Sequence, residues 1–319
     1  MLVSIISVFY NREKFVDFSV NSLINQTYQN LEIVLCDDGS SDGTLEELKK
    51  FEALDPRVTV LHHSNRGFTN SIRRAVAASN GAFIAIHGSG DLSHPDRIQK
   101  QQDFLSKNPS VGVVGCLFER DDLILNRKVV VGRQKGGDVL SNICVSHGEV
   151  MFRKDIYDAV GGYRPFFYFS QDRDLWLRMS LLCKIDFIPE VLYTAYTRSD
   201  GVTGSAYSRA IQLYFAEISK QMYEMRVRNG WDFIDKFGGN AWVFKRRSKR
   251  LGNELIKHAL WAFRQGNKAE SFKIIELAKG ESGAGFIHLV AFMILFLGKF
   301  ENGPAFLSRM LNVKRRLIK

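Results

Sequence analysis

Apolar residues along this chain follow two rhythms. Up to about Tyr196, short and nearly continuous apolar runs alternate with amphipathic stretches. Val3 to Phe9, Ile33 to Cys36, Arg57 to His62, Phe83 to Ile86 and Val111 to Gly115 read as strands covered on both faces. Between them, the 3.6-residue period predicts helices over Glu13 to Asn25, from Thr44 through Phe51, over Thr69 to Ser79, and from Pro95 to Lys107. Strand and helix in strict alternation predict an α/β fold: a mostly parallel sheet with helices on both faces. Ile185 to Ile188 and Val191 to Tyr196 extend the sheet, whereas Glu119 to Gly137 reads as an irregular excursion at its edge. From Ala206 onward only the helical period remains, with Asn253 to Ala262, Lys268 to Lys279 and Phe286 to Leu297 expected to pack as helical hairpins. The change of rhythm places two domains at residues 1–203 and 204–319.

The chemistry gathers where the strands stop. Leu31 to Cys36 runs into Asp37-Asp38-Gly39-Ser40-Ser41, which is turn composition, and Thr44 with Glu47 predicts a capping box for the next helix. The two carboxylates therefore sit at the carboxyl edge of a central strand, where open α/β sheets bind ligands. The first strand ends in Tyr10-Asn11, the fourth in Gly88-Ser89-Gly90-Asp91, and a later segment opens on His147-Gly148. Gln171-Asp172-Arg173-Asp174 begins a helix with Trp176, Met179 and Leu182 on its apolar side, so its unpaired amides face the same edge. Each residue also has an ordinary structural use, Asp as a turn or helix cap and a lone His as a core residue. No Gly-x-Gly-x-x-Gly follows the first strand, which disfavours a dinucleotide-dependent dehydrogenase.

This order of strands, the Asp-Asp-Gly-Ser turn, the acid at position 91, the Gly161-Gly162-Tyr163 turn and Gln171-Asp172 together resemble the family 2 glycosyltransferases, from Val3 to about Tyr196. The resemblance implies the GT-A fold and an inverting transfer of a sugar from a nucleotide diphosphate donor, UDP- or dTDP-sugar favoured, to a hydroxyl acceptor. It implies that Val8, Tyr10 and Asn11 line base and ribose, that Asp38, helped by Asp37, accepts from the nucleobase, and that Arg73 and Gly90 lie on the donor side. Asp172 would be the catalytic base and His147 would line the acceptor site. The family commonly carries Asp-x-Asp-Asp where this chain has Gly88-Ser89-Gly90-Asp91. A divalent metal, Mg or Mn, would then rest on Asp91 alone among the protein's acids, or Arg73 or Arg198 would replace it. The acceptor implied is a saccharide or a lipid-linked glycan, as in cell-surface polysaccharide synthesis. The alternatives are a nucleotide-sugar-binding protein that has lost catalysis and a scaffold acting through its basic tail.

Composition narrows the setting. The chain has 319 residues, 45% of them hydrophobic, which suffices for a large core, and its four cysteines lie far apart with no zinc or disulfide spacing. Free thiols and a first strand that starts at Val3 predict a cytoplasmic protein. The net charge of +10 concentrates in Lys245 to Arg250 and Lys314 to Arg316, with no nucleic-acid motif beside it. Those clusters and the apolar Phe286 to Leu297 segment leave open a peripheral membrane contact through the C-terminal helices, against a plain core role for the apolar helix.

Overall fold

The computed structural model describes residues 1–131, 139–140, 143–198, 205–281, 286–305 and 307. These divide into two compact units: Met1–Thr197 with Arg226–Gly230, and Arg198–Met225 with Trp231–Lys319.

The first unit alternates as the sequence pattern predicts: β1 (Val3–Phe9), α1 (Glu13–Ile24), β2 (Leu31–Asp37), α2 (Thr44–Leu54), β3 (Val58–His62), α3 (Phe68–Ala77) and β4 (Phe83–Gly88). There follow β5 (Leu92–Ser93), α4 (Arg97–Lys107), β6 (Val111–Asp122), β7 (Arg127–Val131), β8 (Met151–Arg153), α5 (Lys154–Ala159), α6 (Gln171–Met179) and β9 (Lys184–Thr197). The sheet order is β3-β2-β1-β4-β8-β6-β9-β5, with β7 paired to β6. Strands β3, β2, β1 and β4 are mutually parallel, β8 runs against both neighbours, and β6 and β9 are parallel again. Side chains alternate through β1: Val3, Ile5 and Phe9 pack toward α1, α2 and α4, while Ile6 and Val8 pack toward α3 and α6. Both faces are covered, so these strands carry almost no polar residue until they end.

Two local expectations need correction. The stretch from Glu119 is regular as far as Val131: β6 continues to Asp122 and turns into β7. The turn is encoded by Asp122, whose carboxylate accepts the Ile124 and Leu125 N–H groups at 3.0 Å, and by Asn126 in the left-handed region (φ 47°). Residues 132–137 of that stretch lie outside the described residues. The expected capping box at Thr44 is also absent. Gly43 is the N-cap of α2, and the Thr44 hydroxyl is engaged elsewhere, donating to Asp42 and accepting the Arg12 N–H at 2.7 Å. Thr44 thus ties the start of α1 to the Asp37–Gly43 turn.

The second unit is helical: α7 (Ala206–Asn229), whose last turn belongs to the first unit, α8 (Phe233–Phe237), a 3₁₀ segment (Gly238–Phe244), α9 (Lys249–Arg264), α10 (Lys268–Glu281) and α11 (Phe286–Gly298). Helices α9 and α10 form a hairpin across Gly266, whose φ of +83° suits glycine, and bury Leu255, Ala259, Phe263, Ile274 and Ala278 together. Val290 and Ile294 of α11 join that core. Among the described residues, no helix is long and apolar enough to cross a membrane. The basic run is largely paired: Lys245 meets Glu281 at 2.6 Å, Arg246 meets Glu224 at 3.2 Å and Arg250 meets Glu217 at 2.7 Å.

Candidate active site

Strand register brings the polar ends to one edge. Val8 lies beside Cys36 on one side and Gly88 on the other, and Phe9 lies beside Asp37, which lies beside His62. One step beyond this line are Tyr10, Asn11, Asp38 and the Gly88–Asp91 loop. Tyr10 is 48% exposed, and Asn11 adopts a left-handed φ of 50° that its side chain supports by accepting the Ser41 N–H at 2.8 Å. Val8 packs into the core among Ile6, Cys36 and Ile72, so its side chain serves the sheet.

The adjacent carboxylates divide their work. Asp37 is fully buried and is held by His62 Nδ1 at 2.8 Å and by the Ser40 N–H. Asp38 accepts the Arg66 N–H on Oδ1 at 2.8 Å, with His63 Nδ1 at 3.6 Å from the same oxygen. Its Oδ2 accepts no hydrogen bond among the described residues. Gly39 is required between them and the loop of residues 63–65: a Cβ there would lie 2.4 Å from the Asn65 nitrogen, and φ is +73°. Sequence reasoning missed both histidines. The available signal was a His-His pair at the end of the strand beside the Asp-Asp strand.

At the fourth strand, Asp91 turns back over Gly88. A Cβ at position 88 would lie 2.4 Å from Asp91 Oδ2, so glycine is what admits this carboxylate. Tyr193 donates to Asp91 Oδ2 at 2.8 Å and accepts the Gly88 N–H at 2.9 Å, while the Tyr196 N–H meets Asp91 Oδ1 at 3.0 Å. Burial, reinforced by Asp91, pushes the Tyr193 hydroxyl well above its ordinary pKa, so it remains a donor. Beneath the ring lies Arg97, fully buried, its guanidinium 5.1 Å from the Tyr193 centroid and bonded to the Gly148 and Ile86 carbonyls at 2.9 Å. Gly90, at φ +85°, donates its N–H to Ser19 Oγ, which also meets His87 Nε2 at 3.0 Å. Burial, with Arg97 nearby, holds His87 well below the ordinary histidine pKa, so it is neutral. Among the described residues no three His, Cys, Asp or Glu side chains gather as a metal cage. Among the described residues, Asp91 is the carboxylate at this loop. That set fits a Mg²⁺ or Mn²⁺ ion only where donor phosphates complete the shell.

Tyr193 also links this loop to the turn at Gly148, where a Cβ would lie 2.6 Å from its hydroxyl. The neighbouring His147 bonds Tyr163 Oη at 2.8 Å and packs between Phe68 and Tyr163, with ring centroids at 5.5 and 5.7 Å. Burial lowers its pKa and the charge of Asp172 partly opposes that shift. Trp176, one turn after Asp172 on α6, has its ring centroid 6.4 Å from that of His147. Asp172 is not the N-cap of α6. That position is Ser170, at φ 55°, and Asp172 is the second residue of the helix. Among the described residues Asp172 makes no ion pair. Asp174 is fully enclosed between Arg164 and Arg178, the latter at 2.7 Å. Arg73 sits apart from these acids, lining a groove of about 800 Å³ with Arg66, Arg74, Lys154 and Tyr157. That groove adjoins Asp38 through Arg66 and His63.

Comparison with known proteins identifies the family and the fold. The model of glycosyl transferase family 2 covers residues 4–170. An uncharacterized glycosyltransferase of Haemophilus influenzae is 30% identical over 65% of this chain and 68% of its own length. The O-antigen biosynthesis glycosyltransferase WbnJ of Escherichia coli is 28% identical over 69% of this chain and 90% of its own. Staphylococcus aureus TarS 1-349 in complex with UDP-GlcNAc superposes with a TM-score of 0.60 over 92% of this chain and 90% of that one, at 17% identity. The mannosyltransferase PcManGT of Pyrobaculum calidifontis, in complex with GDP-Man and Mn²⁺, gives 0.57 over 96% and 83%, also at 17% identity. The sheet with its crossover helices is accordingly a GT-A fold, and the chain is a glycosyltransferase of family 2.

Proposed function

We propose that this enzyme transfers a sugar from a UDP- or dTDP-sugar to a hydroxyl of a saccharide or lipid-linked acceptor, with inversion, in cell-surface polysaccharide synthesis. The observation that carries the reading is the sheet edge on which Asp38 and Asp91 follow the two strands that flank β1, with Tyr193 reaching from Asp91 to Gly148 and the adjacent His147 packing near the first turns of α6, which carries Asp172. Asp38 Oδ2 is available to a pyrimidine imide N–H, and Tyr10 and Asn11 flank the base and ribose. Asp172, uncommitted to any cation, takes the proton of the acceptor hydroxyl as its oxygen attacks the anomeric carbon and the bond to the nucleoside diphosphate breaks on the opposite face. His147, held neutral by burial, orients the acceptor without competing for that proton. Asp91 and the donor's phosphates would hold a divalent ion, which supplies positive charge to the leaving diphosphate. The relatives' roles in polysaccharide assembly and the helical second unit support work at the inner face of a membrane, by peripheral contact.

A panel of nucleotide sugars tests this directly. Release of UDP or dTDP with formation of a product of inverted anomeric configuration is expected. Nucleotide binding with no turnover on any acceptor would favour the rival reading, a binding protein. Activity is further expected to require added Mn²⁺ or Mg²⁺, with metal binding detected only when nucleotide is present. Full turnover in excess EDTA would remove Asp91 from the metal role.

A further inference from the structure

The helical unit exposes a run of side chains that its own fold leaves uncovered. Trp242, Val243 and Phe244 are consecutive and are 64%, 55% and 38% exposed, with Phe237 at 45% beside them. Three adjacent large apolar residues on a surface need a reason, because a folded chain gains nothing from presenting them to water. They are held firmly. Phe233 stacks on Phe244 with centroids 4.4 Å apart, Phe237 lies 4.7 Å from Phe244, and Ala241 anchors the 3₁₀ segment inside the unit at 1% exposure. A capping box formed by Asp232 and Asp235 fixes the helix that precedes them.

Charge indicates what covers this tip. From Trp231 to Arg250 there are six basic residues and two acidic ones. Lys245, Arg246 and Arg250 are matched by glutamates of the same unit. Arg247 and Lys249 are exposed and make no ion pair among the described residues. An aromatic tip with unmatched cations on its flank suits the boundary of an anionic bilayer, where indole and phenyl rings lie at headgroup depth and cations meet lipid phosphate. A second copy of the chain would bring the same positive charge to the contact, and that repulsion disfavours it.

We infer that Phe237 and Trp242-Val243-Phe244 insert into the headgroup layer of an anionic membrane, with Arg247 and Lys249 on the lipid phosphates. This names the device behind the peripheral contact in the proposed function, and it does not depend on which sugar is moved. The test uses the full chain with vesicles of phosphatidylglycerol and phosphatidylcholine, and with phosphatidylcholine alone. Co-sedimentation with the anionic vesicles is expected to fall about tenfold or more in Trp242→Ala/Phe244→Ala, and similarly in Arg247→Glu/Lys249→Glu or at high salt. Tryptophan fluorescence should be quenched by brominated acyl chains in the native protein and less so in Trp242→Phe. The shift in melting temperature with UDP should be unchanged in all these variants, which shows that they are folded and that the donor site is judged separately. Equal sedimentation of native and variant proteins, absence of binding to anionic vesicles, or a native dimer that Trp242→Ala dissociates would each overturn the inference.

Discussion

Two carboxylates on the first turn of α6, Asp172 and Asp174, have the same chemistry and opposite surroundings. Asp174 is enclosed, with Arg164 and Arg178 on its oxygens, and Arg178 in turn bonds the carbonyls of Val160 and Gly162 at 2.7 Å. Burial alone would raise the Asp174 pKa, but Arg178 and Arg164 hold it below the ordinary aspartate value. At neutral pH it is an anion that, through Arg178, fastens the Gly161-Gly162-Tyr163 turn to the helix. Asp172, two residues earlier, has no such cation among the described residues. The pair at the end of β2 repeats the division: Asp37 is tied to His62 and Ser40, and Asp38 keeps one oxygen open. In each pair one acid is tied into the fold and the other is less committed among the described residues. A carboxylate can receive a proton or a ligand only if the fold has not already neutralised it.

The largest effect should fall on the structural partner. Asp174→Asn would leave Arg178, 3% exposed, without its carboxylate, at a cost of about 3–5 kcal/mol by urea denaturation at neutral pH. Asp172→Asn should leave stability nearly unchanged. Equal stabilities for the two variants would break the comparison. Because the folded pKa of Asp174 is lowered, its contribution is complete above the unfolded value near ~3.9 and is lost as pH falls through the folded value.

Nucleotide binding sharpens the second pair. UDP or dTDP at about 100 times Kd should stabilise the protein by roughly 2.7 kcal/mol in a thermal melt. Asp38→Ala should abolish most of that gain while leaving the unliganded protein nearly as stable. Asp37→Ala should instead lower the melting temperature with or without nucleotide, since it unties His62 and the Ser40 turn. An undiminished shift in Asp38→Ala would remove Asp38 from the nucleobase.

The smallest effect concerns acid. His87 and His147 are both held neutral by burial, so their folded pKa values lie below ~6.5. Below that pH the unfolded chain takes up protons that the folded one refuses. Stability should therefore fall with decreasing pH, by at most about 1.4 kcal/mol per pH unit for each histidine. Melting curves from pH 7 to 5 check the slope, and His87→Asn should flatten it. A stability that rises on acidification in this range would contradict the burial argument.

The sequence makes the fold and the strand-end acids legible because buried parallel strands carry few charged residues until they stop, so Asp37, Asp38 and Asp91 stand out by position. It does not reveal which acid of a pair is free. That depends on Arg164, His62 and His63, which come from outside the acids' own elements and meet the carboxylates only after folding, and on Arg178, one turn along α6 from Asp174. Tyr193 was hidden for the same reason: it reads as an apolar strand residue, yet its hydroxyl joins Gly88, Asp91 and the Gly148 turn. The basic run at Lys245 looked like a continuous positive patch because Glu217, Glu224 and Glu281 are remote in sequence.

The central claim is that Asp172 is the free base of this site, and one paired measurement tests it. Native enzyme and Asp172→Asn are compared for transfer rate at saturating donor and acceptor and for the thermal shift given by the nucleotide. Asn keeps the size and the place on α6 but cannot accept the proton. Loss of on the order of 10²-fold or more in rate, with the nucleotide shift intact, is the predicted result. Turnover by Asp172→Asn near the native rate would contradict it, and would return Asp172 to an ordinary place on the helix.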